Sequence, residues 1–206
     1  MYSRFPTFIL GFHGCDQEIC EKVLLGKGSL RFSKNYYDWL GNGIYFWENN
    51  PQRALEYAES IKKNPARCNS KVKTPAVIGA IIDLGNCLNL VDSRYIKIVE
   101  NGYELLKKTA EKAKYELPKN TKPLSEENDL LIRELDCAVI ESIHQSNQEQ
   151  KLENFDTVRG IFEEGKELYP NAGFKKKSHI QVCVRNPNCI KGYFLPREQN
   201  EGLKIP

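Results

Sequence analysis

A chain of 206 residues with 40% hydrophobic content holds enough apolar material for one domain with a sizeable core, and residues 1–206 are read as that single domain. Its 30 basic and 27 acidic residues leave a formal charge of +3, too small on average to imply a nucleic-acid partner. Seven cysteines, odd in number and without a Cys-x-x-Cys pair, exclude a zinc-ribbon or thioredoxin-like framework by spacing. They are read as reduced, scattered thiols, and no metal is expected. The chain opens with no signal-like apolar region and carries no apolar run of about 20 residues, which predicts a cytoplasmic protein without a membrane partner.

In chain order, the β-rich run 6–14 predicts a first strand ending at His13-Gly14. Asp16 is placed to cap a short helix that stops at Gly26 and Gly28. Residues 33–40, with Tyr36, Tyr37, Asp38 and Trp39, form a loop leading into Gly41-Asn42-Gly43. That glycine turn delivers a short strand, Ile44 to Trp47, in which Trp47 is as readily a packing residue as a functional one. Asn50-Pro51 then starts a helix whose Ala54, Leu55, Tyr57, Ala58 and Ile61 give one apolar face.

A basic run without acids follows, from Lys62 to Lys73. Residues 76–84 are nearly all apolar between Pro75 and Gly85, which predicts a central strand buried on both faces. Asp92 caps a second long helix, and Ser125-Glu126-Glu127-Asn128 marks the start of a third that carries Leu130 to Ile143. Thr157 to Phe162 reads as a strand in which Arg159 is an ion-pair residue; a loop with the basic triple Lys175 to Lys177 follows. Strands at 178–184 and 189–195, joined by Asn186-Pro187-Asn188, are expected to close the chain as a hairpin.

The sequence Gly-x-Gly-Ile-Tyr-Phe at 41–46, followed by a helix carrying Tyr57 and preceded by Phe12-His13-Gly14, resembles the signature of the poly(ADP-ribose) polymerase-like ADP-ribosyltransferases. The resemblance covers residues 8–60 with specific motifs and 177–195 with weaker ones. It implies an α+β fold with central split antiparallel β-sheets flanked by helices, and NAD as co-substrate. Carried over by position, His13 binds the adenosine-side ribose, Gly14 offers backbone groups to the nicotinamide carboxamide, and Tyr45 and Tyr57 sandwich the nicotinamide ring. The family serine that bonds the carboxamide, three residues before the second tyrosine, is Ala54 here.

The family's third residue, a glutamate opening a late strand, is also absent. Aligning the closing strands on Ile190-Lys191-Gly192-Tyr193 puts His179 in its place. Gln181, two residues on, points to the same face of a strand. Either is a candidate for the nicotinamide ribose, and Glu163 or Glu164 in the preceding loop is a candidate carboxylate. The resemblance implies transfer of one ADP-ribosyl unit to a macromolecule (RNA, DNA or protein) by a small stand-alone toxin or phage-defence effector, with a neutralising antitoxin as a further partner. NAD glycohydrolysis, protein modification and an inactive NAD or ADP-ribose-binding module stay open as alternatives. The basic runs 62–73 and 175–177 tilt the acceptor towards nucleic acid.

Overall fold

The computed structural model describes residues 8–65, 71–122 and 129–197. Strand β1 spans Phe8–Asp16 and stays paired along its whole length, two residues beyond the predicted end. Asp16 closes it and caps helix α1, Gln17–Leu24, by accepting from the Glu18 amide at 3.1 Å. The same carboxylate accepts from the Thr74 and Lys73 amides at 3.0 and 2.6 Å, and these bonds hold it below the usual aspartate range.

Strand β2, Ile44–Glu48, and helix α2, Pro51–Lys63, follow the sequence reading closely. The Asn50 side chain accepts from the Arg53 amide at 3.0 Å, and Pro51 occupies the first turn, where no amide hydrogen is needed. Strand β3 spans Pro75–Asp83, β4 Cys87–Asn89, α3 Ser93–Ala113, β5 Asn120–Thr121 and β6 Ile132–Arg133. Helix α4, Glu134–Glu149, strands β7, Thr157–Phe162, and β8, His179–Val184, a 3-10 turn at Pro187–Cys189 and β9, Ile190–Phe194, complete the order.

Seven strands form one sheet in the order β4-β7-β8-β2-β1-β3-β9, antiparallel throughout except for β4 beside β7; β5 and β6 pair separately. The fold is therefore mixed α and β around a large, mostly antiparallel sheet. No helix among the described residues is long and apolar enough to cross a membrane.

Four expectations need correction. Strand β3 is not central: it lies one place from the edge, between β1 and β9, and Ile81 on its outer side is 41% exposed. The third helix starts at Glu134, after Leu130 and Leu131, because its cap comes from a distant residue. Asn120 Oδ1 accepts from the Leu135 and Asp136 amides at 3.0 and 3.3 Å, a contact that no local pattern encodes. The capping signature at 125–128 lies outside the described residues. The thiols are not all scattered: Cys15 and Cys20 Sγ stand 3.4 Å apart in the core.

The fourth correction shapes the molecule. Strands β8 and β9 do not form a hairpin; β8 runs between β7 and β2, whereas β9 pairs with β3 at the far edge. In a flat sheet these strands would lie four spacings apart, about 19 Å. The link from Val184 to Ile190 includes a 3-10 turn and reaches about 18 Å only if otherwise fully extended. Residues of both halves also meet in one core cluster, so the sheet bends. Its narrowest joint is β1–β2, where only Gly11↔Glu48 and Phe12↔Trp47 are in register. The expected split is thus one continuous sheet folded at a weak seam.

Inside the bend, Ile44, Phe46, Val182 and Val184 from one half pack with Ile78, Ala80, Ile82 and Cys189 from the other. On the outer face, α3 and α4 cover Leu88, Val158 and Cys183. Ala54 of α2 packs against Phe12 and Trp47.

Candidate active site

Cross-strand partners in an antiparallel sheet send their side chains to the same face. The register aligns Phe12, Trp47, Gln181 and Gly160 in one row, Tyr45, Cys183 and Val158 in a second, and His179 and Phe162 in a third. All belong to the outer face, between α2 on one side and α3 and α4 on the other. Sequence alternation thus brings His179, Gln181, Trp47 and Tyr45 to one surface. The chain places His13 on the opposite face, its ring 5.8 Å from Phe46.

His13 nevertheless reaches β2. Beyond Phe12 and Trp47 the ladder stops, and the His13 imidazole stands where the next backbone bond would be: Nδ1 donates to the Tyr45 carbonyl at 2.8 Å. Burial lowers the His13 pKa, an effect that this carbonyl opposes. The result is a notch between β1 and β2, clasped by a side chain. Helix α2 roofs β1 there. A Cβ on Gly14 would overlap the Ala54 carbonyl oxygen, so glycine at 14 is what lets the helix come so close.

Tyr45 is tied down at its hydroxyl, which donates to the Gly41 carbonyl at 2.8 Å and accepts from the Leu40 amide at 3.0 Å. Burial raises its pKa well above 10, so the phenol stays protonated. Gly41 adopts φ +79°, a backbone conformation that suits glycine, and the turn closes on this phenol. Tyr45→Phe should cost about 1–3 kcal/mol by orphaning the Leu40 amide. Chemical denaturation would measure it, and an unchanged midpoint would refute the role of the clasp.

The ring facing Tyr57 is that of Trp47, at 4.9 Å, in the place the resemblance gives to Tyr45. From Trp47 the aromatic chain continues to His179 at 6.0 Å, Phe162 at 5.6 Å from His179, and Trp39 at 5.1 Å from Phe162. The Arg133 guanidinium lies over Phe162 and Trp39 at 4.5 and 5.4 Å. Gln181 is oriented by Trp39, whose Nε1 donates to its Oε1 at 2.6 Å.

His179 is 7% exposed, and its Nδ1 donates to the Lys177 carbonyl at 2.6 Å. That bond fixes the tautomer and leaves Nε2 as an acceptor, buried and without a partner. Burial pushes the imidazole pKa down to about 4, so it is neutral near pH 7. Glu164 reaches the same corner: Arg53 on α2 holds it at 2.8 Å and Lys177 lies at 3.6 Å. Glu163 is exposed.

Of the basic triple, Lys175 pairs with Asp129 at 2.9 Å and Lys177 with Glu164, so two of its three charges are already neutralised. Lys62 and Lys63 sit in the last turn of α2. Arg159 forms its expected ion pair, with Glu48 across β8.

From sequence, Trp47 is as readily structural as functional, and Arg53 is not singled out. The i, i+4 spacing of Arg53 and Tyr57 on α2 was the available signal. Among known proteins, the chain is similar to an uncharacterized protein of Methanocaldococcus jannaschii, 27% identical over 196 aligned positions that cover 87% of this chain and 83% of that one. No protein-family model matches the chain, and no solved structure matches it significantly.

Proposed function

We propose that the notch between β1 and β2 is the NAD site of a mono-ADP-ribosyltransferase with an ADP-ribosyltransferase fold, acting on a macromolecule as a toxin or defence effector. The observation that carries this reading is the clasp of His13 Nδ1 on the Tyr45 carbonyl where the strands part, with Tyr57 on the helix above. It joins the two halves of the sequence signature at one point.

In this reading the C1′–nitrogen bond of NAD breaks, its electron pair returns to the pyridine nitrogen, and nicotinamide leaves as a neutral base. The ribosyl cation that remains needs positioning and electrostatic support. His179 supplies an unpartnered Nε2 lone pair for a ribose hydroxyl, and the residue fits because it is neutral and already oriented. Gln181, fixed by Trp39, lies on the same strand face. Glu164 brings the nearby carboxylate, tempered by Arg53 and Lys177, and is the group placed to take the acceptor's proton. A site with neutral groups at the glutamate position suits transfer of one unit.

The exposed rings of Tyr36, Tyr169 and Phe174, with the Arg133 guanidinium over the Trp39 ring, support an unpaired nucleic-acid base as acceptor. The test is mass spectrometry of NAD incubated with purified protein, alone and with RNA, single-stranded DNA or cell extract. Nicotinamide release with a gain of one ADP-ribosyl unit on RNA or DNA is expected. Free ADP-ribose alone would replace transfer by glycohydrolysis. A protein adduct would move the acceptor class, and intact NAD under every condition would leave only a binding module.

A further inference from the structure

None of the cysteines serves the chemistry proposed above, yet two of them meet. Cys15 lies one residue before the end of β1, and Cys20 is the fourth residue of α1. Their sulfurs stand 3.4 Å apart, one thiol donating to the other, in the core cluster between α1 and the sheet. Asp16, between them in sequence, caps α1 and accepts from the Lys73 and Thr74 amides, so the corner that presents the two thiols to each other is fixed. Cys137 and Cys183 face backbone instead, donating to the Asn35 and Gly41 carbonyls at 3.6 and 3.5 Å.

We propose that Cys15 and Cys20 are a redox-active pair, which hydrogen peroxide converts to an internal disulfide. A sulfur–sulfur bond is about 2 Å long, so each sulfur needs to move by only about 0.7 Å. Donation from Cys15 pulls the Cys20 thiol below its ordinary pKa, against the effect of burial, and the same bond raises that of Cys15. Cys20 is therefore the attacking sulfur and Cys15 the resolving one. Cys20 Sγ attacks a peroxide oxygen, the O–O bond breaks, and the departing hydroxide takes the Cys20 proton as water. Cys15 Sγ then attacks the sulfenic acid sulfur, the S–O bond breaks, and hydroxide leaves with the Cys15 proton as a second water. Two thiols are oxidised and one peroxide is reduced to two waters.

Both residues are buried, so access comes from local opening of α1. The helix has only eight residues and depends on its packing to stay formed, and peroxide is little larger than water. The bond would staple α1 to β1 next to Gly14, the residue that seats α2. This inference stands apart from the NAD reading.

The test uses the reduced, full-length protein, treated with hydrogen peroxide, then unfolded, alkylated and digested with trypsin. Residues 5–22 form one tryptic peptide that carries both cysteines. That peptide is expected to lose two hydrogens and resist alkylation, about tenfold faster than Cys137 or Cys183 reacts, and a dithiol reductant should restore both sites. In Cys15→Ser, Cys20 should accumulate as a sulfenic acid that dimedone captures. A fully alkylated peptide 5–22 from the treated folded protein would show two packed, inert thiols and overturn the proposal. So would bridges to other cysteines, or a bridge that forms equally fast in guanidinium, where the folded corner is absent. These results come from the unaltered protein, so they decide the matter even where the serine variant does not fold.

Discussion

Arg159→Ala is expected to lower the thermal midpoint by about 6–12 °C. Arg159 on β7 reaches over β8 to Glu48 on β2, with Nε at 2.6 Å from one carboxylate oxygen and Nη2 at 2.9 Å from the other, while Nη1 lies 3.2 Å from Asn89 Oδ1. The side chains are 17% and 11% exposed, so solvent screens the pair only in part. Removing one partner leaves Glu48 charged and poorly solvated, a loss of about 3 kcal/mol, the low end of the range for buried pairs. In a chain of this size each kcal/mol moves the midpoint by about 2–4 °C.

A control separates charge burial from lost packing. Arg159→Met combined with Glu48→Leu removes both charges and should recover most of the midpoint, because the desolvation cost disappears with the attraction. A shift below about 2 °C for the single variant would mean that water already screens the pair. The effect matters for the site because the pair spans β8, the strand that carries His179 and Gln181. Loosening it frees the row on which Trp47 and Gln181 lie opposite each other.

Local signals carried much of this architecture. The segment 41–63 was legible because its turn, strand, cap and helix are all short-range: Gly41 supplies a positive φ, Asn50 caps α2 through its own side chain, and Pro51 fits the first turn. Strand β7 was readable for the same reason. What failed was long-range. Nothing near 178–195 says that β9 joins β3 and not β8, because that choice is made by the fold at the β1–β2 seam. Asn120 caps α4 from across the chain, so the local signature misplaced the helix.

The site divides in the same way. Alternation put His179 and Gln181 on one face without help from the structure. The meeting of Trp47, Arg53 and His179 needs β2, α2 and β8 in register, and three-element junctions leave no periodic trace in sequence. Likewise Tyr45 reads as a ring for stacking, yet its hydroxyl is bonded back into the turn that precedes it.

Acid should destabilise the protein in a window set by its histidines. All three, His13, His144 and His179, have pKa values pushed below the ordinary value by burial, His179 to about 4. Between the ordinary pKa near 6.5 and these lowered values, the unfolded chain binds protons that the folded chain refuses. Stability therefore rises with pH there and is lost as pH falls. For His179, the fall from 6.5 to about 4 corresponds to about 3.5 kcal/mol, spread over that pH range. Carboxylates with lowered pKa, such as Glu141 and Asp129, add their loss only below about pH 4.5. The drop from pH 6.5 to 5 thus belongs to the histidines. Denaturation midpoints across that range should fall steadily in the unaltered protein and more gently in His179→Phe, which cannot titrate. Equal slopes would show that His179 is not held neutral. On the proposed NAD reading, the same neutrality predicts where activity fails in acid. With the Nε2 lone pair serving the ribose, activity should persist through pH 6 and fall only as His179 protonates near 4; an acid limb centred at 6.5 would remove His179 from that role.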